Sequence, residues 1–244
     1  MKLNKRIAHA LGYDIIRLNR GDFSLETNLI KAINKFDIDL VLDVGANYGQ
    51  FAERLRSSGY AGEVHSFEPI GFIFKELQAK SAADAKWFTH NLAMGSTQGS
   101  QTINIMAGND FSSFLNPSDF GKAQYESSTR VQDRETVEVD TISNFLATNV
   151  PNYRERRIFL KMDTQGYDLE VFRGASDVLQ SVKGMLSELS FIPIYDGMTN
   201  YLDTLKEFQA SGFHPSGFYP INRDSDGLVL IEMDCMLVRS GDLP

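Results

Sequence analysis

One cysteine, Cys235, cannot form an internal disulfide, so a secreted disulfide-stapled scaffold is excluded. Positive charge is short as well: 24 Lys+Arg stand against 32 Asp+Glu, a formal net charge of −8. A nucleic-acid binder needs a basic face to displace phosphate counterions, so this balance argues against a nucleic-acid partner. The four histidines, His9, His65, His90 and His214, show no zinc-ligand spacing among themselves or with Cys235. No run approaches the roughly 18 apolar residues of a membrane span, so no integral membrane segment is expected. The basic opening stretch MKLNKRIAHALGYDIIRLNR lacks a signal-peptide core, because residues 8–12 are too few and His9 and Asp14 interrupt the pattern. A reducing, cytoplasmic setting is the expectation. What is present suffices for a packed core: 42% of the 244 residues are hydrophobic and 11% aromatic. With no internal repeat or low-complexity linker, residues 1–244 read as a single domain.

Within it, residues 1–38 form an N-terminal helical cap and residues 39–240 the core. Leu3, Ile7, Ala8 and Leu11 recur at helical spacing in a stretch carrying Lys2, Lys5, Arg6, Arg17 and Arg20. A second helix is predicted over residues 24–36. The pattern then changes. Apolar runs at residues 40–44, 63–67 and 158–162 read as buried parallel strands, and residues 86–94 and 185–191 as further strands. Helices are predicted near Phe51 and Leu55, over residues 72–82, 142–146 and 169–179, and over residues 201–210. Residues 102–106 lie in a less regular section, 137–139 read as an edge strand, and 213–219 with 228–238 as a terminal strand pair. Strands and helices alternating in this way make an open α/β sheet, mostly parallel, with helices on both faces.

Ligands of such sheets bind where strands end and their order switches. Asp43-Val44-Gly45-Ala46-Asn47-Tyr48-Gly49 occupies the first such end, and its glycines let the backbone turn and approach a ligand closely. Glu68 closes the next strand, where a carboxylate can accept both ribose hydroxyls of an adenosine-bearing cofactor. The third glycine of a dinucleotide fingerprint is missing. Asp43 would repel a pyrophosphate, yet it suits the sulfonium and ammonium of S-adenosylmethionine.

The ordered set Asp43-Val44-Gly45-Ala46-Asn47-Tyr48-Gly49, Phe67-Glu68-Pro69, Asn91-Leu92-Ala93-Met94-Gly95 and Lys161-Met162-Asp163-Thr164-Gln165-Gly166-Tyr167-Asp168, followed by Glu188, Gly212-Phe213 and Asp234, resembles the FkbM family of S-adenosylmethionine-dependent methyltransferases. The resemblance implies a Rossmann-like class I methyltransferase fold, with a seven-stranded sheet whose last strand is antiparallel. It implies O-methylation of a hydroxyl on a sugar, glycan or polyketide-type product, in polysaccharide or natural-product biosynthesis. It also places Asp43, Gly45, Asn47 and Gly49 around the methionine part of the cofactor, Glu68 on the ribose and Asn91 near the adenine. The chain departs from many members at Gln165 and Asp168, where they carry Glu, and at Ile142-Ser143, where they carry Leu-Asp.

An alcohol acceptor needs a general base or a metal to become a nucleophile. Lys161 and Asp163, two apart on a strand, point to one face, and Asp163 at the strand end is the first candidate for the base. Lys161 would neutralise or orient it, or take a proton itself if burial lowers its pKa. Glu188, ending the following strand, is the second candidate acid. Asp163, Asp168 and Glu188 offer oxygens to a divalent metal, although Asp168 reads equally well as a helix-capping acid and no metal is assigned. For a small-molecule or glycan acceptor, Ser113 in the Phe111–Phe114 loop and Tyr195 in the loop after the fifth core strand are the candidate contacts. Two other readings stand beside this one: an NAD-linked oxidoreductase, and a non-catalytic cofactor-binding partner domain.

Overall fold

The computed structural model describes residues 7, 8, 10, 11, 24–239 and 241. Residues 1–6, 9 and 12–23 of the expected N-terminal cap therefore lie outside the described residues. The second expected helix is α1 (Leu25–Lys35), started by Ser24, whose hydroxyl accepts from the Thr27 N–H. Then come β1 (Leu40–Val44), α2 (Gln50–Ser57), β2 (Glu63–Phe67), α3 (Gly71–Ser81), β3 (Trp87–His90), β4 (Ala93–Met94) and β5 (Gly99–Met106). The second half holds α4 (Asp119–Gln124), β6 (Val131–Asp140), α5 (Ile142–Asn149), β7 (Ile158–Met162), α6 (Asp168–Arg173), β8 (Val182–Ser190), α7 (Tyr201–Ala210), β9 (Phe213–Arg223) and β10 (Leu230–Arg239).

Seven strands form one sheet in the order β3-β2-β1-β7-β8-β10-β9. β1, β2, β3, β7 and β8 are mutually parallel, and β10 runs antiparallel to both neighbours. β1 and β7 are buried along their whole length, which is why they read as unbroken apolar runs. Alternation sorts their side chains between two cores. Leu40, Leu42, Val44, Ile158, Leu160 and Met162 face a layer built with α5, α6 and α7, whereas Val41 and Phe159 face α1 and α2. Asp43 and Lys161 fall on the second face, directly opposite each other in register.

The expected strand 86–94 is two strands in two sheets. At Asn91 the side-chain amide donates to the Glu68 and Pro69 carbonyls, turning the chain so that β4 leaves the main sheet. β4 pairs with β6, and β6 with β5, in a separate three-stranded sheet. Its apolar face packs Ile103, Ile105, Val137 and Val139 onto Ile70 and Ile73 at the start of α3. β6 is far longer than the expected residues 137–139, because its first residues are polar and exposed and carry no apolar alternation. The helix expected over 169–179 ends at Arg173, where the Gly174 carbonyl accepts the Ser143 N–H of α5 instead of continuing the helix.

Gly45 is the tightest point of the architecture. It has φ +72°, and a Cβ there would collide with the Asp163 carbonyl oxygen, so the turn after β1 and the turn after β7 meet backbone to backbone. Gly59, at φ +90°, has nothing within 4 Å of its Cβ position. Gly59→Ala should therefore cost only the left-handed backbone penalty, about 1–2 kcal/mol. Gly45→Ala should cost several times more or prevent folding; urea midpoints of the two variants make the comparison.

Candidate active site

At the carboxyl ends of these strands lies a cavity of about 240 Å³. Its floor is Val44, Gly45 and Asn47 after β1, Phe67, Glu68, Pro69 and Ile70 after β2, and Asp163, Thr164 and Gln165 after β7. Ala93, Met94 and Ile103 of the small sheet close one side. Residues 109–114 roof it, and Glu188, Ile221, Asn222 and Glu232 close the far end. This is the place the strand-order rule assigns to a ligand.

Beneath the floor, Lys161 is almost wholly buried, and its Nζ lies 3.2 Å from Asp43 Oδ1 and 3.5 Å from Asp163 Oδ2. It also donates to the Gly45 carbonyl at 2.8 Å. Asp43 in turn accepts from the Ser66 hydroxyl at 3.0 Å, and Ser66 accepts from the Trp87 indole N–H at 3.0 Å. A polar row thus crosses β3, β2, β1 and β7. Burial alone would push the Lys161 ammonium toward neutrality, but Asp43 and then Asp163 overcome it and raise its pKa. The sequence-based option of a neutral, proton-accepting Lys161 is thereby corrected.

Glu68 accepts the Ile70 N–H on Oε1 at 2.9 Å and the Asn47 N–H on Oε2 at 3.0 Å. Burial pushes its carboxyl up to about 7 against the pull of those two donors. Asn47, at φ +48°, turns its buried Oδ1 to no partner among the described residues. Such an orphaned acceptor in a cavity wall points to a donor on a ligand.

Asp163 is held at both oxygens, by Lys161 on Oδ2 and by the Gln165 amide on Oδ1 at 3.1 Å. Gln165 is placed by Tyr195, whose hydroxyl lies 2.9 Å from Gln165 Oε1 and from the Phe111 carbonyl. A glutamate at 165 could not donate to Asp163, so the departure noted in the sequence has a geometric use here. At the far end, burial and then the charges of Asp163 and Glu232 push the Glu188 carboxyl well above its ordinary range. Asp234, on the same face, rises to about 6, chiefly through burial and Asp163.

The expected residues divide accordingly. Gly45, Asn47, Glu68, Asp163, Glu188 and Ser113 line the cavity; Asp43, Gly49, Asn91, Lys161 and Tyr195 do not. Asp43 serves Lys161 rather than a ligand. Gly49 packs toward Leu77 and Trp87. Asn91 braces the Glu68–Pro69 turn, leaving Leu92 on the wall. Ser113, expected to meet the acceptor, donates its hydroxyl to the Gln165 carbonyl at 2.7 Å and accepts the Leu115 N–H. Tyr195 is buried behind the wall. His65 and His90 pair at 3.0 Å under Phe67 and Phe145, away from the cavity, with pKa values lowered to about 3 and about 4, mainly by burial. Asp168 spends both oxygens on Thr164, Ser187 and the Glu188 N–H. It is therefore not free to join Asp163 and Glu188 on a metal, and no group of three His, Cys, Asp or Glu among the described residues is arranged for one. Glu232 and Asn222 escaped sequence reasoning, because they sit inside the terminal strand pair rather than at a parallel strand end.

Residues 43–215 match the model of the methyltransferase FkbM domain. No curated protein matches the chain significantly. Among solved structures, a methyltransferase FkbM from Methylobacillus flagellatus KT is 15% identical over 82% of this chain and 44% of its own, with a TM-score of 0.49. This chain thus spans less than half of that protein. An rRNA methylase from Streptococcus thermophilus is 9% identical over 92% of this chain and 99% of its own, with a TM-score of 0.44. Likenesses this remote concern the fold alone. No helix among the described residues is long and apolar enough to cross a membrane.

Two measurements check the electrostatics. Lys161→Met strands the buried Asp43 carboxylate and should cost about 3–5 kcal/mol in urea unfolding, with a substantial part recovered in the Asp43→Asn/Lys161→Met double variant. Glu68 ionises near 7 when folded and near its ordinary value of 4.5 when unfolded, so its burial weakens the fold progressively between those pH values. Glu68→Gln should therefore gain on the wild type by up to about 3 kcal/mol as pH rises through that window, whatever its constant offset.

Proposed function

The chain belongs to the FkbM methyltransferase family, and from that premise we propose that it is a cytoplasmic S-adenosylmethionine-dependent O-methyltransferase acting on a hydroxyl of a sugar, glycan or polyketide-type product. One observation carries the cofactor reading. Glu68, Asp110 and Asp163 line the cavity, and among the described residues no lysine or arginine does. A dinucleotide pyrophosphate would meet only carboxyl groups there, whereas a sulfonium and an ammonium are attracted. The donor set fits such a cofactor in three further respects. The Glu68 carboxylate can accept ribose hydroxyls, the orphaned Asn47 Oδ1 can accept an ammonium N–H, and Gly45 leaves the floor open. Leu92, Ala93, Met94 and Ile103 supply an apolar wall for a purine.

The bound cofactor would supply an electrophilic methyl carbon, which passes to the acceptor oxygen while the sulfur keeps the bonding electron pair. This chain's residues handle the proton. Asp163 is fixed at both oxygens, faces the cavity and takes the proton from the acceptor hydroxyl. Lys161 holds Asp163 in place, acting as a positioning residue. Glu188 holds its own proton and so offers a hydrogen bond rather than a second base.

Calorimetric titration should show S-adenosylhomocysteine binding and no binding of NAD; the reverse would overturn the cofactor reading in favour of an oxidoreductase. Asp163→Asn should bind S-adenosylhomocysteine as the wild type does while losing roughly 10²–10⁴-fold in methyl transfer. Wild-type turnover in that variant would remove Asp163 from the chemistry.

A further inference from the structure

The cavity extends past Asp163 to an end that the methyl donor's contacts do not use. β8 and β10 lie on the opposite side of β7 from β1 and β2, so this end is separated from Glu68 by the width of several strands. We propose that the end walled by Glu188, Asn222 and Glu232 is the acceptor subsite, and that it admits a polyhydroxyl group carrying no phosphate. This inference rests on the methyl-donor reading above.

Glu232 is the organising residue. It is 3% exposed, and each oxygen is fixed by a neighbour: Oε1 accepts from the Ser190 hydroxyl at 3.1 Å and Oε2 from the Asn222 amide at 2.8 Å. A carboxylate offers about four lone-pair directions, and the Glu188 carboxyl beside it hydrogen-bonds Glu232 as well, so one direction is left for a ligand hydroxyl. Behind the roof, the Tyr125 hydroxyl is fully buried with no partner among the described residues, and its ring packs 5.0 Å from that of Phe111. Tyr125 is close enough to Glu232 and Glu188 for their charges to act on it. Tyr125 does not itself line the cavity, so the subsite is carried by Glu232, Asn222 and Glu188.

The same wall rejects anions. Asp110 in the roof and Asp163 on the floor add further carboxyl groups, and Lys161, the cation beside Asp163, is already committed to Asp43, Asp163 and the Gly45 carbonyl. A phosphate at this end would lose its water and meet no lysine or arginine among the described residues that line the cavity. The acceptor must therefore arrive after any phosphate-bearing carrier has left it, as the product of a completed glycosyl transfer and not as a nucleotide-activated sugar.

The test uses protein saturated with S-adenosylhomocysteine, titrated with matched probes: methyl glycosides of common hexoses and 6-deoxyhexoses against the uridine-diphosphate forms of the same sugars. At least one glycoside should bind, and its nucleotide counterpart should bind at least tenfold more weakly. Glu232→Gln and, independently, Asn222→Ala should weaken the glycoside at least tenfold with S-adenosylhomocysteine affinity changed less than twofold. Equal or tighter binding of the nucleotide sugar, glycoside affinity unmoved by both variants, or no binding by any glycoside would overturn the proposal. Failure of S-adenosylhomocysteine itself to bind would instead overturn the cofactor reading, so the two failures are told apart at the first titration.

Discussion

A single buried cation governs this end of the molecule. Removing an ammonium from water is costly, and Lys161 survives burial only because Asp43 and Asp163 flank it and the Gly45 carbonyl accepts from it. In return it performs three tasks at once. It neutralises Asp43 within the sheet, holds Asp163 at the cavity floor, and ties the turn after β1 to the strand that carries it. Because Gly45 also touches the backbone of Asp163, the two central turns are joined twice, once by sterics and once by charge. Few rearrangements of the floor are open to a structure clamped in this way, and a rigid floor is what an in-line displacement requires.

The proton states around the cavity follow from how these charges are shared. Asp163 has a cation on one oxygen and an amide on the other. Glu188, buried and facing the charges of Asp163 and Glu232, is pushed well above its ordinary range. Two carboxyl groups of the same intrinsic chemistry are thereby given different surroundings by their neighbours. Glu68 lies between these extremes, buried but supplied with two backbone donors.

Much of the architecture was legible in the sequence where burial was two-sided. β1 and β7 show as apolar runs because both faces are covered, and α7 because one face alternates cleanly at helical period. β6 was nearly invisible, since its first half is exposed and its pairing in a second sheet owes nothing to apolar pattern. The division of β3 from β4 depends on one side-chain amide, at Asn91, and no periodicity announces that. The site divides in the same manner. Glu68, Asn47 and Asp163 line the cavity, as residues at strand ends beside a switch point are expected to. Asp43, Asn91 and Tyr195 were read as contacts, whereas Asn91 and Tyr195 brace Glu68 and Gln165, which line the cavity, and Asp43 pairs with Lys161 behind it. A motif records which residues a site needs and not how many bonds separate each from the ligand. Glu232 and Asn222 reached the wall through an antiparallel pair, for which the strand-end rule makes no statement.

The polar row across the sheet ends at Trp87, the chain's one tryptophan. Its indole reaches Lys161 through Ser66 and Asp43, and its ring packs behind the turn that carries the cavity's first residues. The protein therefore contains its own optical probe. Ultraviolet emission excited at the indole band comes from one place only, and that place is wired by hydrogen bonds to the charge on which the floor depends. Changes in the polarity of that row will register as spectral shifts with no label attached and no second indole to obscure them.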